Sequence, residues 1–179
     1  MKSPLERLCS FATEAEMGEN LISAIEPKMR FNQIIAEREF KAPQGVPDYL
    51  LFRRCESSLV YAIALELKLK DWRKGLFQAF KYRSYTNGAY VIIDSYFRED
   101  ALSNLQKFID ANIGFATFSL SGDLEVFYDP YADVPFSQYY ASILDLSLKK
   151  IDPTLAKNCR FHRSKIGAVC LSGLIFNHW

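Results

Sequence analysis

Apolar residues return along this chain with two periods, one helical and one strand-like, and their alternation divides it into elements. After Thr13, residues Met17, Leu21, Ile22 and Ile25 recur at helical spacing, and Thr13 with Glu16 three positions on has the form of a capping box. The pattern predicts a first helix from about Glu14 to Glu26, stopped by Pro27. Phe31, Ile34, Ile35 and Phe40 in RFNQIIAEREF have strand content, and KAPQGVPD closes that segment with two prolines and a glycine. Tyr49 to Phe52 is a short apolar run, RRCESS a polar turn, and Leu59 to Leu69 a longer strand, so two neighbouring strands joined by a hairpin-like loop are predicted.

Further on, WRKGLFQAFKYRSYT is helical in period, Asn87-Gly88 stops it, and AYVIID follows as a buried strand. Glu99 to Asn112 is amphipathic through Leu102, Leu105, Phe108 and Ile109. FATFSLSGDLEVFYD reads as two strands around Ser121-Gly122-Asp123, and PFSQYYASILDLSLKK as a late helix. The predicted order is α-β-β-β-α-β-α-β-β-α, an α/β fold with a mixed central sheet flanked by helices.

Within the longest predicted strand, Tyr61, Ile63, Leu65, Leu67 and Leu69 share one face. Ala62, Ala64, Glu66, Lys68 and Lys70 share the other. Small residues thus precede a charged strand end, leaving room on that face. Asp48 follows Pro47 at the mouth of the preceding strand, and if the two strands pair, Asp48, Glu66 and Lys68 converge. Two carboxylates with the Leu67 carbonyl are oxygen ligands of the kind Mg²⁺ prefers. A lysine beside them favours ionised carboxylates, orients or deprotonates a water, and stabilises charge developing on phosphorus. The set suits phosphodiester hydrolysis. Taken singly, Asp48 also fits a turn residue after proline, and Glu66 with Lys68 a cross-strand ion pair.

Composition narrows the field without choosing a substrate. The 179 residues are 49% hydrophobic, enough for one packed core, so a single domain spanning 1–179 is expected. With 22 Lys and Arg against 21 Asp and Glu, a net charge of +1 supplies no global field for a polyanion. Lys149, Lys150, Lys157, Arg160, Arg163 and Lys165 crowd a late segment in which Asp152 is the only acid; it reads as a basic helical extension over 129–179. Four scattered cysteines fit a reducing, cytoplasmic setting, and no apolar run is long enough for a membrane span or signal peptide. Cys159, His162, Cys170 and His178 have zinc-ligand chemistry, but their spacings are not those of a familiar finger.

At VPD, with Asp48, and ELK, with Glu66 and Lys68, the sequence resembles the PD-(D/E)xK nuclease superfamily. The likeness runs over about residues 14–128 and continues in GLFQAFKYRSYTNGAYVII, because that superfamily commonly places a glutamine and a tyrosine on the helix after the third strand. Gln78 and Tyr82 match, one turn apart. The resemblance implies a restriction-endonuclease-like fold and a Mg²⁺- or Mn²⁺-dependent nuclease. Asp48 and Glu66, with the Leu67 carbonyl, would be its metal ligands, Lys68 its water-activating residue and Gln78 a supporting one. It also implies a glutamate on the helix before the first strand; Glu14, Glu16 and Glu19 compete, and Glu19 is favoured because Glu16 already caps the helix.

Lys70, Arg73, Lys74, Lys81 and Tyr82 flank the expected site and would face nucleic acid, with Lys70 equally suited to being an exposed strand-end charge. DNA is the expected partner, with RNA also open, and such nucleases often act as homodimers. Two rivals remain: a non-catalytic module of the same fold that binds nucleic acid or assembles complexes, and a protein-interaction domain whose charged strand end is only surface.

Overall fold

In a computed structural model of the chain, residues 9–55, 58–131 and 134–151 are described. Helix α1 (Glu14–Phe31) leads into strands β1 (Ile34–Arg38), β2 (Tyr49–Cys55) and β3 (Ser58–Lys68). Helix α2 (Trp72–Tyr82) then connects to β4 (Gly88–Asp94). A 3₁₀ turn (Ser95–Phe97) and two short helices, α3 (Arg98–Leu102) and α4 (Leu105–Ala111), precede β5 (Gly114–Phe118), β6 (Leu124–Tyr128) and α5 (Gln138–Ile151).

The six strands form one mixed sheet in the order β1-β2-β3-β4-β5-β6. β1, β2 and β3 are antiparallel, β3, β4 and β5 parallel, and β6 returns antiparallel. Parallel neighbours need a crossover, which α2 supplies between β3 and β4 and the α3–α4 pair between β4 and β5. All seven residues of β4 are buried, as a central parallel strand covered on both faces must be. One core joins α1, through Met17, Leu21, Ile25 and Met29, to Leu51, Ile63, Leu65, Leu67, Tyr90 and Ile92. The other joins Leu50, Ala62, Ala64, Val91 and Ile93 to Trp72, Ala79 and Tyr82 of α2, Phe108 of α4 and Leu144 of α5. The α/β class, the mixed sheet and the two faces of β3 are as the alternation predicted.

Three boundaries differ. Helix α1 does not stop at Pro27 but runs to Phe31, because Pro27 faces solvent and the continuing turn buries Met29 one turn beyond Ile25. RRCESS is not all turn: β2 reaches Cys55 and β3 starts at Ser58, with a bulge between Arg53 and Arg54. The amphipathic stretch 99–112 is broken at Ser103-Asn104, where the Asn104 side-chain amide donates to the Asp100 carbonyl and competes with the helical ladder. Thr13 does cap α1, its hydroxyl accepting from the Glu16 N–H at 3.0 Å, and Asp71 caps α2. The basic positions beyond Ile151 and the four Cys and His zinc candidates lie outside the described residues. Among the described residues, no helix is long and apolar enough to cross a membrane.

Candidate acid and lysine site

The end of β3 is where the two layers meet. Glu66 and Lys68 project to the α2 side, following Ala62 and Ala64, whose lack of bulk lets α2 settle on the sheet. Gly75 makes that approach close: a methyl group there would lie 2.9 Å from a Val91 methyl and 3.1 Å from Lys68 Cγ. Both charged residues are therefore buried, Glu66 to 1% exposure and Lys68 to 6%. β2 pairs with β3 in the register Tyr49 opposite Leu65, and one step further sets Asp48 opposite Glu66. Asp48 Oδ2 accepts the Leu67 N–H at 2.6 Å, which ties the carboxylate to the strand end.

Lys68 Nζ lies 2.7 Å from Glu66 Oε1, donates to the Leu67 carbonyl at 2.8 Å, and reaches Glu14 Oε2 at 3.3 Å. Tyr82 donates its hydroxyl proton to Glu66 Oε2 at 2.8 Å, and the same oxygen lies 3.1 Å from the Val46 carbonyl. Glu66 thus has a donor on each oxygen, whereas among the described residues the hydrogen bond to Asp48 uses Oδ2 and leaves Oδ1 for another partner.

Three carboxylates, Asp48, Glu66 and Glu14, stand against one ammonium, so the ionised cluster is short of two positive charges. The proton affinities carry the same message. Burial pushes Glu66 above the usual carboxylate range and the Asp48 charge adds to it, with Lys68 and Tyr82 pulling back. Burial likewise raises Asp48, against the Leu67 N–H and Lys68. For Lys68, burial opposes the charged form, yet the bond and field of Glu66, with Glu14 and Asp48 behind it, hold the ammonium above its ordinary value. Tyr82 is pushed far up by burial and then by Glu66, so it remains a donor. An oxygen-lined, cation-deficient cluster with a backbone carbonyl at its rim fits a hard divalent ion that keeps part of its water shell. Among the described residues, no three His, Cys, Asp or Glu side chains are arranged to hold a metal by themselves. The Leu67 carbonyl and waters or substrate oxygens would have to complete such a shell.

The expected residues divide into those brought together and those set apart. Asp48, Glu66, Leu67 and Lys68 converge. Glu19 does not join them; it pairs with Arg38 at 3.0 Å on the surface, and Glu14 takes the place expected for it. The helical period contains the reason, since Glu14 lies on the face of Met17, Leu21 and Ile25, while Glu19 points away. Gly18 brings that face close, for a methyl there would sit 2.8 Å from both Leu67 Cδ1 and the Tyr49 ring. Glu14 Oε1 also receives the Leu69 N–H at 3.4 Å.

Gln78 is half-buried on α2, and its Oε1 is a buried acceptor without a hydrogen-bond partner among the described residues. Tyr82, expected against nucleic acid, is instead 2% exposed beneath the site, because its ring belongs to the core and its hydroxyl to Glu66. Arg73 is engaged as well, bonded to Asp100 at 2.7 Å and stacked 4.2 Å from the Trp72 ring. Lys70, Lys74 and Lys81 are exposed. The spacing of the sequence gives no sign of Asp94, which is fully buried and accepts the Phe11 N–H at 2.8 Å and the Tyr96 N–H at 3.0 Å.

Fold and site together define a mixed α/β domain with a buried acid and lysine cluster at the end of its third strand. No protein-family model matches the chain, and no curated protein matches it. A solved structure that aligns with it is that of SfsA from Pyrococcus furiosus in complex with Ca²⁺. The identity is 13% and the TM-score 0.38, and the match spans 62% of this chain and 61% of that one.

Proposed function

We propose that the chain is a metal-dependent nuclease of the PD-(D/E)xK type, hydrolysing DNA phosphodiester bonds with Mg²⁺ or Mn²⁺. The observation that carries this reading is the convergence of Asp48, Glu66, Lys68 and the Leu67 carbonyl in a cluster deficient in positive charge. Asp48 through Oδ1, Glu66 and the Leu67 carbonyl would hold the ion. When bound, it polarises a phosphoryl oxygen and lowers the pKa of a coordinated water. Lys68 would turn from the Leu67 carbonyl toward the attacking water and the scissile phosphate, where its charge would stabilise the negative charge that develops. Tyr82 fixes the Glu66 carboxylate, Glu14 keeps Lys68 charged, and the unpartnered Gln78 Oε1 accepts a hydrogen bond from a site water. The water oxygen would bond to phosphorus and give up a proton to solvent as the P–O bond to the leaving nucleotide breaks, and the leaving oxygen would take up a proton from solvent.

Purified protein is incubated with plasmid, linear and single-stranded DNA and with RNA in Mg²⁺, Mn²⁺ or EDTA, beside Asp48→Asn and Glu66→Gln. Cleavage confined to the metal-containing wild type is the expected result. Equal cleavage by Glu66→Gln would sink the assignment. A second reading, a non-catalytic module of the same fold, draws on one observation: Lys68 already satisfies Glu66 and the Leu67 carbonyl internally. Its signature is unchanged thermal stability across a Mg²⁺ and Mn²⁺ titration.

A further inference from the structure

We infer that the outer face of α2 and the loop before α5 form a stacking platform for single-stranded DNA, an inference that rests on the nuclease reading and gives it a substrate class. Phe77, Phe80, Phe136 and Tyr139 are 63%, 48%, 56% and 71% exposed, although aromatic rings of this size ordinarily go to a core. Their arrangement is fixed. Phe80 and Phe136, from two different elements, lie 5.7 Å apart. The Phe136 loop is pinned by backbone hydrogen bonds from Phe136 to Arg83 and from Ser137 to Ser84, each 3.0 Å. The fully buried Arg83 sets its guanidinium 5.0 Å from the Phe136 ring, and Lys81 Nζ lies 4.5 Å from the Phe77 ring. A ring backed by a cation on one face presents only the other, which suits stacking more than the interdigitation of a protein interface.

Charge makes the same choice of partner. Lys74 and Lys81 are exposed beside these rings, and among the described residues neither forms an ion pair. Asp71 caps α2 through the Lys74 N–H, and Asp100 pairs with Arg73. Exposed rings interleaved with uncompensated lysines match bases interleaved with phosphates. Paired bases hide their faces in the stack, so the platform calls for an unpaired strand. The loop carrying Phe136 also walls a cavity of about 340 Å³ with Tyr85, Gln138, Ser142 and Asp145. Tyr85 is 1% exposed and its hydroxyl is buried without a partner. The Gln138 amide and Ser142 hydroxyl on the cavity wall are groups that can meet the edge of a base, and Asp145 there is paired with Lys149 at 2.6 Å.

The test measures binding of the full chain to a labelled single strand and to the duplex of the same sequence by fluorescence anisotropy in EDTA. The single strand is expected to bind more tightly. Phe80→Ala and Phe136→Ala should each weaken it by roughly 5- to 100-fold, the scale of a lost base stack, while leaving weak duplex binding unchanged. Phe136→Tyr should restore binding, which separates stacking from misfolding. Equal affinity for duplex and single strand, or unaltered binding by Phe136→Ala, overturns the inference. So does a change of oligomeric state in these variants without a change in DNA binding, which would make the face a protein interface. Single-strand binding through the platform with no cleavage in Mg²⁺ removes the nuclease reading alone; cleavage that ignores the platform variants removes the platform alone.

Discussion

Replacing Lys68 by methionine keeps the aliphatic stem and removes the one positive charge from the cluster. The ammonium stands 2.7 Å from Glu66, a gross attraction of about 6 kcal/mol at an effective dielectric constant near 20. Its 3.3 Å contact with Glu14 is worth about 1 kcal/mol or less, because the Glu14 side chain is 42% exposed and screened by water. Taking the ammonium out of water offsets several kcal/mol of this, and removing one member of a buried pair typically costs about 3–5 kcal/mol. A loss of that size is expected near neutral or mildly alkaline pH.

The pH dependence makes the test specific. Asp48 and Glu66 already have folded pKa values above their unfolded ones, and without Lys68 both rise further. A raised carboxyl contributes stability that is full below the unfolded pKa of about 4 and is lost as pH climbs through the folded value. The deficit of Lys68→Met should therefore shrink as the pH falls, because Glu66, raised further, takes up a proton in place of the missing ammonium. Urea unfolding followed by the fluorescence of buried Trp72 reads both quantities. A deficit below about 1 kcal/mol at pH 8, or one that stays constant with pH, would refute the charge balance argued for the cluster.

The remaining expectations follow from single contacts. Tyr82→Phe removes the hydroxyl on Glu66 without opening a cavity and should cost about 1.5–3 kcal/mol in urea unfolding, with a further rise of the Glu66 pKa. Gly75→Val drives side-chain atoms into Val91 and the Lys68 stem and should destabilise by about 1–3 kcal/mol; full stability would mean α2 can lift away from β3 freely. Because protons and a divalent ion compete for the raised carboxylates, Mn²⁺ should raise the melting temperature more at about pH 8 than at about pH 5.5. Glu14→Gln should reduce that metal-induced shift and Glu19→Gln should leave it intact, in a thermal-shift comparison of the two variants.

The part of the site borne on β3 was legible because strand alternation is a strict code: once Ala62 and Ala64 were assigned to one face, Glu66 and Lys68 had to share it. Asp48 was legible through hairpin register. For the helix glutamate the helical period was the better guide: position 14 shares the apolar stripe of α1 and reaches Lys68, whereas Glu19 pairs with Arg38. Pro27 was overread as a stop because a proline's local cost does not record what the next turn buries. Tyr82 was ambiguous for a physical reason: an aromatic with a hydroxyl serves a core or a ligand equally well in sequence, and only the packing of α2 on Ala62 and Ala64 decides. The rings that stand outside were hidden in the same way, because nothing in the spacing of Phe77 and Phe80 tells an exposed phenylalanine from a buried one.

The contact from Glu14 to Lys68 and the Leu69 N–H crosses the edge of the sheet, linking the helix over one core to a side chain rooted in the other. Apart from the sheet itself, it is a mechanical joint between the two layers, and its strength depends on the ionic state of the strand end. A cation bound at the strand end would repel the Lys68 ammonium and shift its contact with Glu14, an anchor of the first turn of α1 that the cap Thr13 does not replace. Amide exchange at residues 14–17 thereby becomes a gauge of whether the site is filled, readable before any substrate has been found.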